Sequence, residues 1–108
     1  WHHVIPEMNH NELVGWAGGA KHLAVVLFRH KSDHERSQVR MEINKEVFAR
    51  HTDHIYEVWS QGDDAFARQL HLINLGDWVS YYLAEKKGVD PTEIAVINML
   101  KGKLAEVK

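Results

Sequence analysis

Residues 23–28, Leu-Ala-Val-Val-Leu-Phe, form the longest uninterrupted apolar run in the chain. Consecutive apolar positions, two of them β-branched, predict a strand buried on both faces, as is typical of a parallel sheet. A second, shorter strand is predicted at residues 55–59, Ile-Tyr-Glu-Val-Trp. The first run is far too short to span a bilayer.

The segment between these two strands predicts a helix. Ser32 and Glu35 have the spacing of a capping box. Apolar side chains then recur at helical spacing as far as about His51, namely Val39, Ile43, Val47 and Phe48. Strand, helix and strand in this order predict an α/β fold with a parallel pair and a right-handed crossover. Two strands make a poor independent sheet, so we expect residues upstream or a partner chain to complete it.

Helices are also predicted before and after this unit. Asn9 and Glu12 have capping-box spacing and predict a short helix that ends at Gly18-Gly19. A long helix is predicted over residues 65–87, ending at Gly88. It is apolar on more than one side, so we expect it to be mostly buried.

The last helix is predicted to start with Asp90 as N-cap, Pro91 at its first position and Glu93 at its third. Its apolar stripe comprises Ile94, Ile97, Leu100 and Leu104. Within the preceding long helix, Gly76 indicates close packing, because glycine in a helix interior costs up to about 1 kcal/mol relative to alanine. Its neighbours Asp77, Trp78 and Ser80 are interpreted as architecture, and Trp16, Trp59 and Trp78 as core or interface residues.

Composition excludes several function classes. Of 108 residues, 44% are apolar and 26% charged, and the formal charge is −2, so no basic field indicates nucleic acid or an anionic membrane. The absence of cysteine excludes disulfides, thiolate metal sites and a cysteine nucleophile, and it fits a cytoplasmic protein. No signal peptide or linker is visible, so we expect one domain. The start at Trp1 rather than Met fits a part of a longer protein.

Nine histidines make a zinc site the main alternative from composition. His30 and His34 are four positions apart, and His51 and His54 are three apart, while His2, His3 and His10 lie near Glu7. His30 lies at a predicted strand end and His34 in the next predicted helix, so the pair does not have the i, i+4 geometry of one helix, and no His-Glu-x-x-His motif occurs. We therefore expect neither a metal nor a cofactor.

Three motifs follow one another along the chain: PEMNHNELVGW at 6–16, LINLGDWVSYYLA at 72–84, and INMLKGKL at 97–104 after Gly88-Val89-Asp90-Pro91. Together they resemble the PE-x-NHNE, GDW and terminal LK motifs of bifunctional phosphoglucose/phosphomannose isomerases, which have the sugar isomerase (SIS) fold. The resemblance implies a three-layer SIS-like fold in which residues 1–108 are the C-terminal, partial portion of the second SIS subdomain.

The resemblance also implies a function. It is the isomerisation of glucose 6-phosphate or mannose 6-phosphate with fructose 6-phosphate through a cis-enediol, by a homodimer whose active site is shared between subunits. The resemblance assigns ring opening to His10. It implies that Lys101 assists ring opening or stabilises charge on the sugar oxygens, and the nearby Lys103 is an alternative for this role. The catalytic glutamate and the phosphate-binding Ser/Thr cluster of the family would precede Trp1, so the segment alone is expected to be inactive.

The predicted capping box would place His10 at the first helical position. The partial positive charge there favours a neutral imidazole, which can both accept and donate a proton. Asn9 and Glu12 themselves are interpreted as structural. Two alternatives stay open: a non-catalytic SIS module that binds phosphosugars and regulates another protein, and a histidine-based metal-binding domain.

Overall fold

A computed structural model describes residues 2–5 and 7–107. Pro6, part of the first motif, therefore lies outside the described residues, as do Trp1 and Lys108. The chain forms two compact units; the first ends at Leu72 and the second begins at Ile73. The elements in chain order are α1 (Glu7–Asn11), a 3-10 helix (Leu13–Gly18), β1 (Val25–Arg29), α2 (Glu35–Phe48), β2 (Ile55–Trp59), α3 (Ala65–Lys87) and α4 (Ala95–Ala105).

Strands β1 and β2 pair in parallel, with Val25 opposite Ile55 and Arg29 opposite Trp59. Helix α2 connects them, so the predicted strand–helix–strand unit and the α/β class are confirmed. Within the described part of the chain, the sheet consists of these two strands.

The hydrophobic core lies on one face of this sheet. Val25 and Leu27 of β1 pack there with Met8 of α1 and Phe48 of α2. The indole of Trp16, from the 3-10 helix, packs against Phe48 with ring centroids 4.4 Å apart. The prediction that Trp16 belongs to the core is confirmed.

The other face of the sheet is open within the described chain. Side chains alternate along a strand, and Val26 and Phe28, which point away from the core, are 53% and 42% exposed. Tyr56 on β2 is similarly exposed. The prediction that β1 is buried on both faces is therefore wrong for this chain, because the core elements α1, the 3-10 helix and α2 cover a single face.

Helix α2 starts and packs differently from the prediction. His34, not Ser32, is its N-cap, and the His34 Nδ1 accepts a hydrogen bond from the backbone N–H of Arg36. Ser32 instead bonds to Nδ1 of His30, which removes it from any capping role. The helix ends at Phe48, before the predicted end at about His51.

The buried side of α2 is also not the predicted stripe. Met41, Asn44 and Phe48 face the core. Val39 and Ile43 lie on the opposite side of the helix and are about half exposed. Helix α2 thus carries two apolar sides, and the sheet covers the side that contains a polar residue, Asn44.

Helix α3 has the predicted bounds. The Asp64 carboxylate accepts a hydrogen bond from the backbone N–H of Ala67 at 2.8 Å, which caps the first turn. Gly88 ends the helix with a φ of 66°, in the left-handed region that favours glycine.

The prediction that α3 is mostly buried is wrong for the described chain. None of its residues, all of which are described, is buried, and Trp78 is 51% exposed. A Cβ built on Gly76 would meet no atom within 4 Å, so the close packing predicted there is absent as well. The indole of Trp78 instead stacks on Tyr82, one helical turn later, at 5.6 Å between ring centroids.

Helix α4 begins at Ala95, later than predicted. The Asp90 carboxylate accepts hydrogen bonds from the backbone N–H and the hydroxyl of Thr92, which close a turn in place of the first helical turn. The same two hydrogen bonds, the backbone one first, lower the pKa of Asp90. Within the described chain, no helix has the length and apolar character needed to cross a membrane.

Candidate active site

His10 lies in the last turn of α1, a helix of five residues, and its side chain is exposed. The helix begins at Glu7, so Asn9 is not its N-cap and His10 is not at the first helical position. The predicted capping box is therefore wrong, and with it the argument that a helix N-terminus keeps the imidazole neutral. Glu12 follows the helix and pairs instead with Nδ1 of His3 at 2.5 Å.

The two residues that precede His10, Met8 and Asn9, hold α1 against α2. The Met8 side chain is part of the core. The side-chain amide of Asn9 donates a hydrogen bond to Oδ1 of Asn44, and Nδ2 of Asn44 reaches the Met8 sulfur at 3.6 Å. Asn44 is completely buried, with an exposed fraction of 0%. One residue of α2 therefore contacts two consecutive residues of α1.

The imidazole of His10 forms no hydrogen bond with any residue in the described ranges 2–5 and 7–107. A neutral imidazole offers one acceptor nitrogen and one donor N–H. Met8 and Asn9 face α2, and neither nitrogen of the His10 imidazole is occupied by another described residue.

Lys101 lies on α4, in the second unit, whereas His10 belongs to the first. It is exposed, and it forms no ion pair with any described residue. Lys101 follows Ile97 by one helical turn, which places it beside the apolar stripe of α4. Lys103, two positions on, points to another side of the helix. The apolar residues of this stripe are about half exposed.

A charged network that sequence reasoning missed lies on the core side of the sheet. The Arg29 guanidinium, 3% exposed, donates to Glu42 and to Glu57, each at 2.7 Å. Its Cζ lies 4.7 Å from the ring centroid of Trp59. Lys45 completes the network by pairing with Glu57 and, at 3.2 Å, with Glu42. Two positive and two negative charges thus compensate one another.

This network shifts the ionisation of its members. The hydrogen bond from Arg29, and secondarily that from Lys45, holds the pKa of Glu42 below its usual value. The hydrogen bond to Glu57 raises the pKa of Lys45. A sequence signal for the network existed: Arg29 continues the alternation of Val25 and Leu27, so it had to face the same side.

A zinc site requires three or four side-chain ligands close together. Among the residues that the structure describes, no three histidine, aspartate or glutamate side chains converge as a metal-binding group. His30 and His34 instead make the local hydrogen bonds described above.

The sequence profile of the bacterial phospho-glucose isomerase C-terminal SIS domain matches residues 1–104. The chain belongs to this family. The membership confirms the SIS fold and the resemblance carried by the three motifs.

Relatives of this SIS domain are named bifunctional phosphoglucose/phosphomannose isomerase. The one from Caldicellulosiruptor bescii is 39% identical over 97% of the chain, and the one from Aquifex aeolicus 35% identical over 94%. A third, from Thermoplasma volcanium, is 27% identical over 92%. The chain spans 32% of the length of each of these curated relatives. No solved structure matches the chain.

Proposed function

We propose that the chain is the C-terminal, partial SIS domain (residues 1–108) of an enzyme that interconverts glucose 6-phosphate or mannose 6-phosphate with fructose 6-phosphate. The support is the name shared by its relatives, two of which are 39% and 35% identical over nearly the whole chain. Such an enzyme acts on a phosphosugar, needs no cofactor, and in this proposal works in the cytoplasm as a homodimer with a shared active site.

The first chemical task is to open the sugar ring. A base takes the proton of the anomeric hydroxyl, the bond between the anomeric carbon and the ring oxygen breaks, and an acid delivers a proton to that oxygen. A single imidazole has the acceptor nitrogen and the donor N–H that these two transfers require. His10 is the residue that we assign to this task.

The second task moves a proton between C1 and C2. A carboxylate takes the proton from one carbon while the carbonyl oxygen on the other carbon gains a proton, which gives a cis-enediol. The same group then returns its proton to that other carbon, and the hydroxyl on the first carbon loses its proton to become the new carbonyl. We place this glutamate upstream of Trp1. Lys101 would stabilise the negative charge that develops on the sugar oxygens. Because both epimers of the substrate give the same enediol, one site serves glucose and mannose substrates.

The assignment of His10 is carried by the contacts of the two preceding residues and by the exposure of its own side chain. Met8 and Asn9 are fixed to α2, while the imidazole that follows them is exposed and forms no hydrogen bond with any described residue. A residue that serves only packing would be turned inward. An exposed imidazole on an anchored backbone is suited to meet a substrate supplied from outside this chain.

The test is an assay of the full-length protein, following conversion of fructose 6-phosphate to glucose 6-phosphate with a coupled dehydrogenase. We expect His10→Ala to lower kcat/KM by about 100-fold or more. His22→Ala is the matched control, since His22 is also exposed in the first unit, and it should leave the rate unchanged.

Two results would overturn this proposal in different ways. Wild-type activity in His10→Ala would remove His10 from the chemistry. A folded wild-type protein that binds fructose 6-phosphate, detected as a rise in melting temperature, yet does not convert it, would identify the non-catalytic phosphosugar-binding module instead.

A further inference from the structure

We propose that Asn44 is a positioning residue for His10: its buried amide sets where α1 lies on α2 and thereby where the imidazole points. The inference rests on the proposed function, because it assigns to Asn44 an effect on ring opening that acts through His10.

Helix α1 is too short to hold itself in place. It has five residues, and helices shorter than about 12 residues are marginal in water without tertiary contacts. The direction of the His10 side chain is therefore decided by what α1 packs against. Met8 supplies an apolar contact with the core, but apolar packing is not directional and leaves the rotation of the helix weakly defined.

The directional contact comes from Asn44. Its Oδ1 accepts from the Asn9 amide, and its Nδ2 points to the sulfur of Met8. Both polar ends of a completely buried side chain thus face one five-residue helix. An apolar residue of the same size would fill this site without the cost of burying an amide. Specifying the position of α1 is what the amide adds.

Asn9 has one polar partner for its side chain among the described residues. Its Oδ1 is buried and finds no hydrogen-bond partner in the described part of the chain, so the bond to Asn44 holds the side chain by its amide nitrogen. His10 is the next residue along the backbone. Loss of the Asn9–Asn44 bond frees α1 to rotate or slide, and a displacement of about 1 Å at a catalytic group can lower the rate about 100-fold.

The experiment uses the full-length protein and the fructose 6-phosphate assay. Asn44→Leu removes both polar contacts while keeping the volume, and we expect kcat to fall by about 10- to 100-fold with KM changed by less than about twofold. Asn9→Ala breaks the same bond from a partly exposed position, so it reports on the bond even where Asn44→Leu impairs folding. We expect a comparable loss of kcat.

Thr52→Val is the matched control for stability. Thr52 is 3% exposed, its hydroxyl donates to the carbonyl of Leu23 at 2.7 Å and accepts from the N–H of His54 at 3.2 Å, and neither partner belongs to α1. We expect Thr52→Val to lower the melting temperature while kcat stays within about twofold of wild type. A merely structural Asn44 would behave in the same way.

A double mutant separates the two proposals. If Asn44 acts through His10, Asn44→Leu costs nothing further in a His10→Ala background. The inference is overturned if the full loss persists in that background, or if Asn44→Leu and Asn9→Ala keep wild-type kcat while His10→Ala is inactive. Activity in His10→Ala itself overturns the role of His10 and this inference together.

Discussion

The guanidinium of Arg29 lies 2.7 Å from a carboxylate oxygen of Glu57 on the neighbouring parallel strand. The two residues are diagonal neighbours in the sheet, because Arg29 pairs with Trp59 in register. Arg29 also bonds to Glu42 of α2. A single buried cation therefore joins both strands and the helix that connects them.

Removal of this cation should weaken the first unit. Arg29→Met leaves two carboxylates with Lys45 alone, and because both remain partly exposed we expect a loss of about 1–3 kcal/mol in unfolding free energy. Urea unfolding of the full-length protein measures it. Arg40→Met, at an exposed position of α2, should change stability by less than about 0.5 kcal/mol. Equal stability of the two variants would contradict a stabilising role for the network.

The same network predicts how stability depends on pH. The lowered pKa of Glu42 means that its contribution is complete above the usual value of 4.5 and is lost as pH falls through the lower folded value. The raised pKa of Lys45 means that its contribution is complete below 10.5 and is lost as pH rises through the higher folded value.

Glu42→Gln tests the acid side of this dependence. Wild type should be more stable than the variant at about pH 7, and the difference should shrink as pH falls below 4.5 and through the lowered pKa of the folded state, where the glutamate becomes protonated. Unfolding free energies measured across this range decide it. A difference that stays constant with pH would show that the charge of Glu42 does not matter.

Lys101 and Lys103 can be separated by a matched pair of substitutions. We expect Lys101→Met to lower kcat of the full-length protein by about 10-fold or more, as removal of a group that stabilises developing charge does. Lys103→Met should leave kcat unchanged, because Lys103 lies on a different side of α4 from Lys101. The reverse pattern would transfer the role to Lys103.

Gly62 should not tolerate a side chain. Its φ is 138°, and a Cβ built there would lie 2.8 Å from the Cβ of Ala67 in the first turn of α3. We expect Gly62→Ala to destabilise the protein by about 1–3 kcal/mol, measured by urea unfolding. Gln61→Ala in the same exposed loop is the control. If both variants unfold at the same urea concentration, the loop has relaxed around the new methyl group.

The order of strands and helices, and the bounds of α3, follow from the sequence because each depends on local periodicity and on local capping. Helix starts were harder to predict. The Asn9/Glu12, Ser32/Glu35 and Asp90/Glu93 spacings all match capping boxes. The first residue of each pair nevertheless bonds elsewhere: Asn9 to Asn44, Ser32 to His30 and Asp90 to Thr92. Spacing alone does not say whether a polar side chain binds its own helix or a competing group, such as the Thr92 amide for Asp90.

The contact between Asn44 and Asn9, which holds α1 at the candidate site, could not be predicted from the sequence for a different reason. Asn44 lies in a stretch with Glu42, Lys45 and Glu46 and looks solvated in the sequence, and its partner Asn9 is 35 positions away. The bond exists because α2 turns its Met41–Phe48 side, not its Val39–Ile43 side, towards the core. Choosing between two apolar sides of one helix requires the tertiary structure.

The uncovered face of the two-stranded sheet has a practical consequence for anyone who works with residues 1–108 by themselves. Within the described chain, β1 and β2 each leave a row of backbone N–H and C=O groups unpaired along one side, next to the bare side chains of Val26 and Phe28. Unpaired strand edges of this kind can form hydrogen bonds with strands of other molecules. We therefore expect samples of residues 1–108 to associate with one another. Crystallisation is better attempted with the full-length protein.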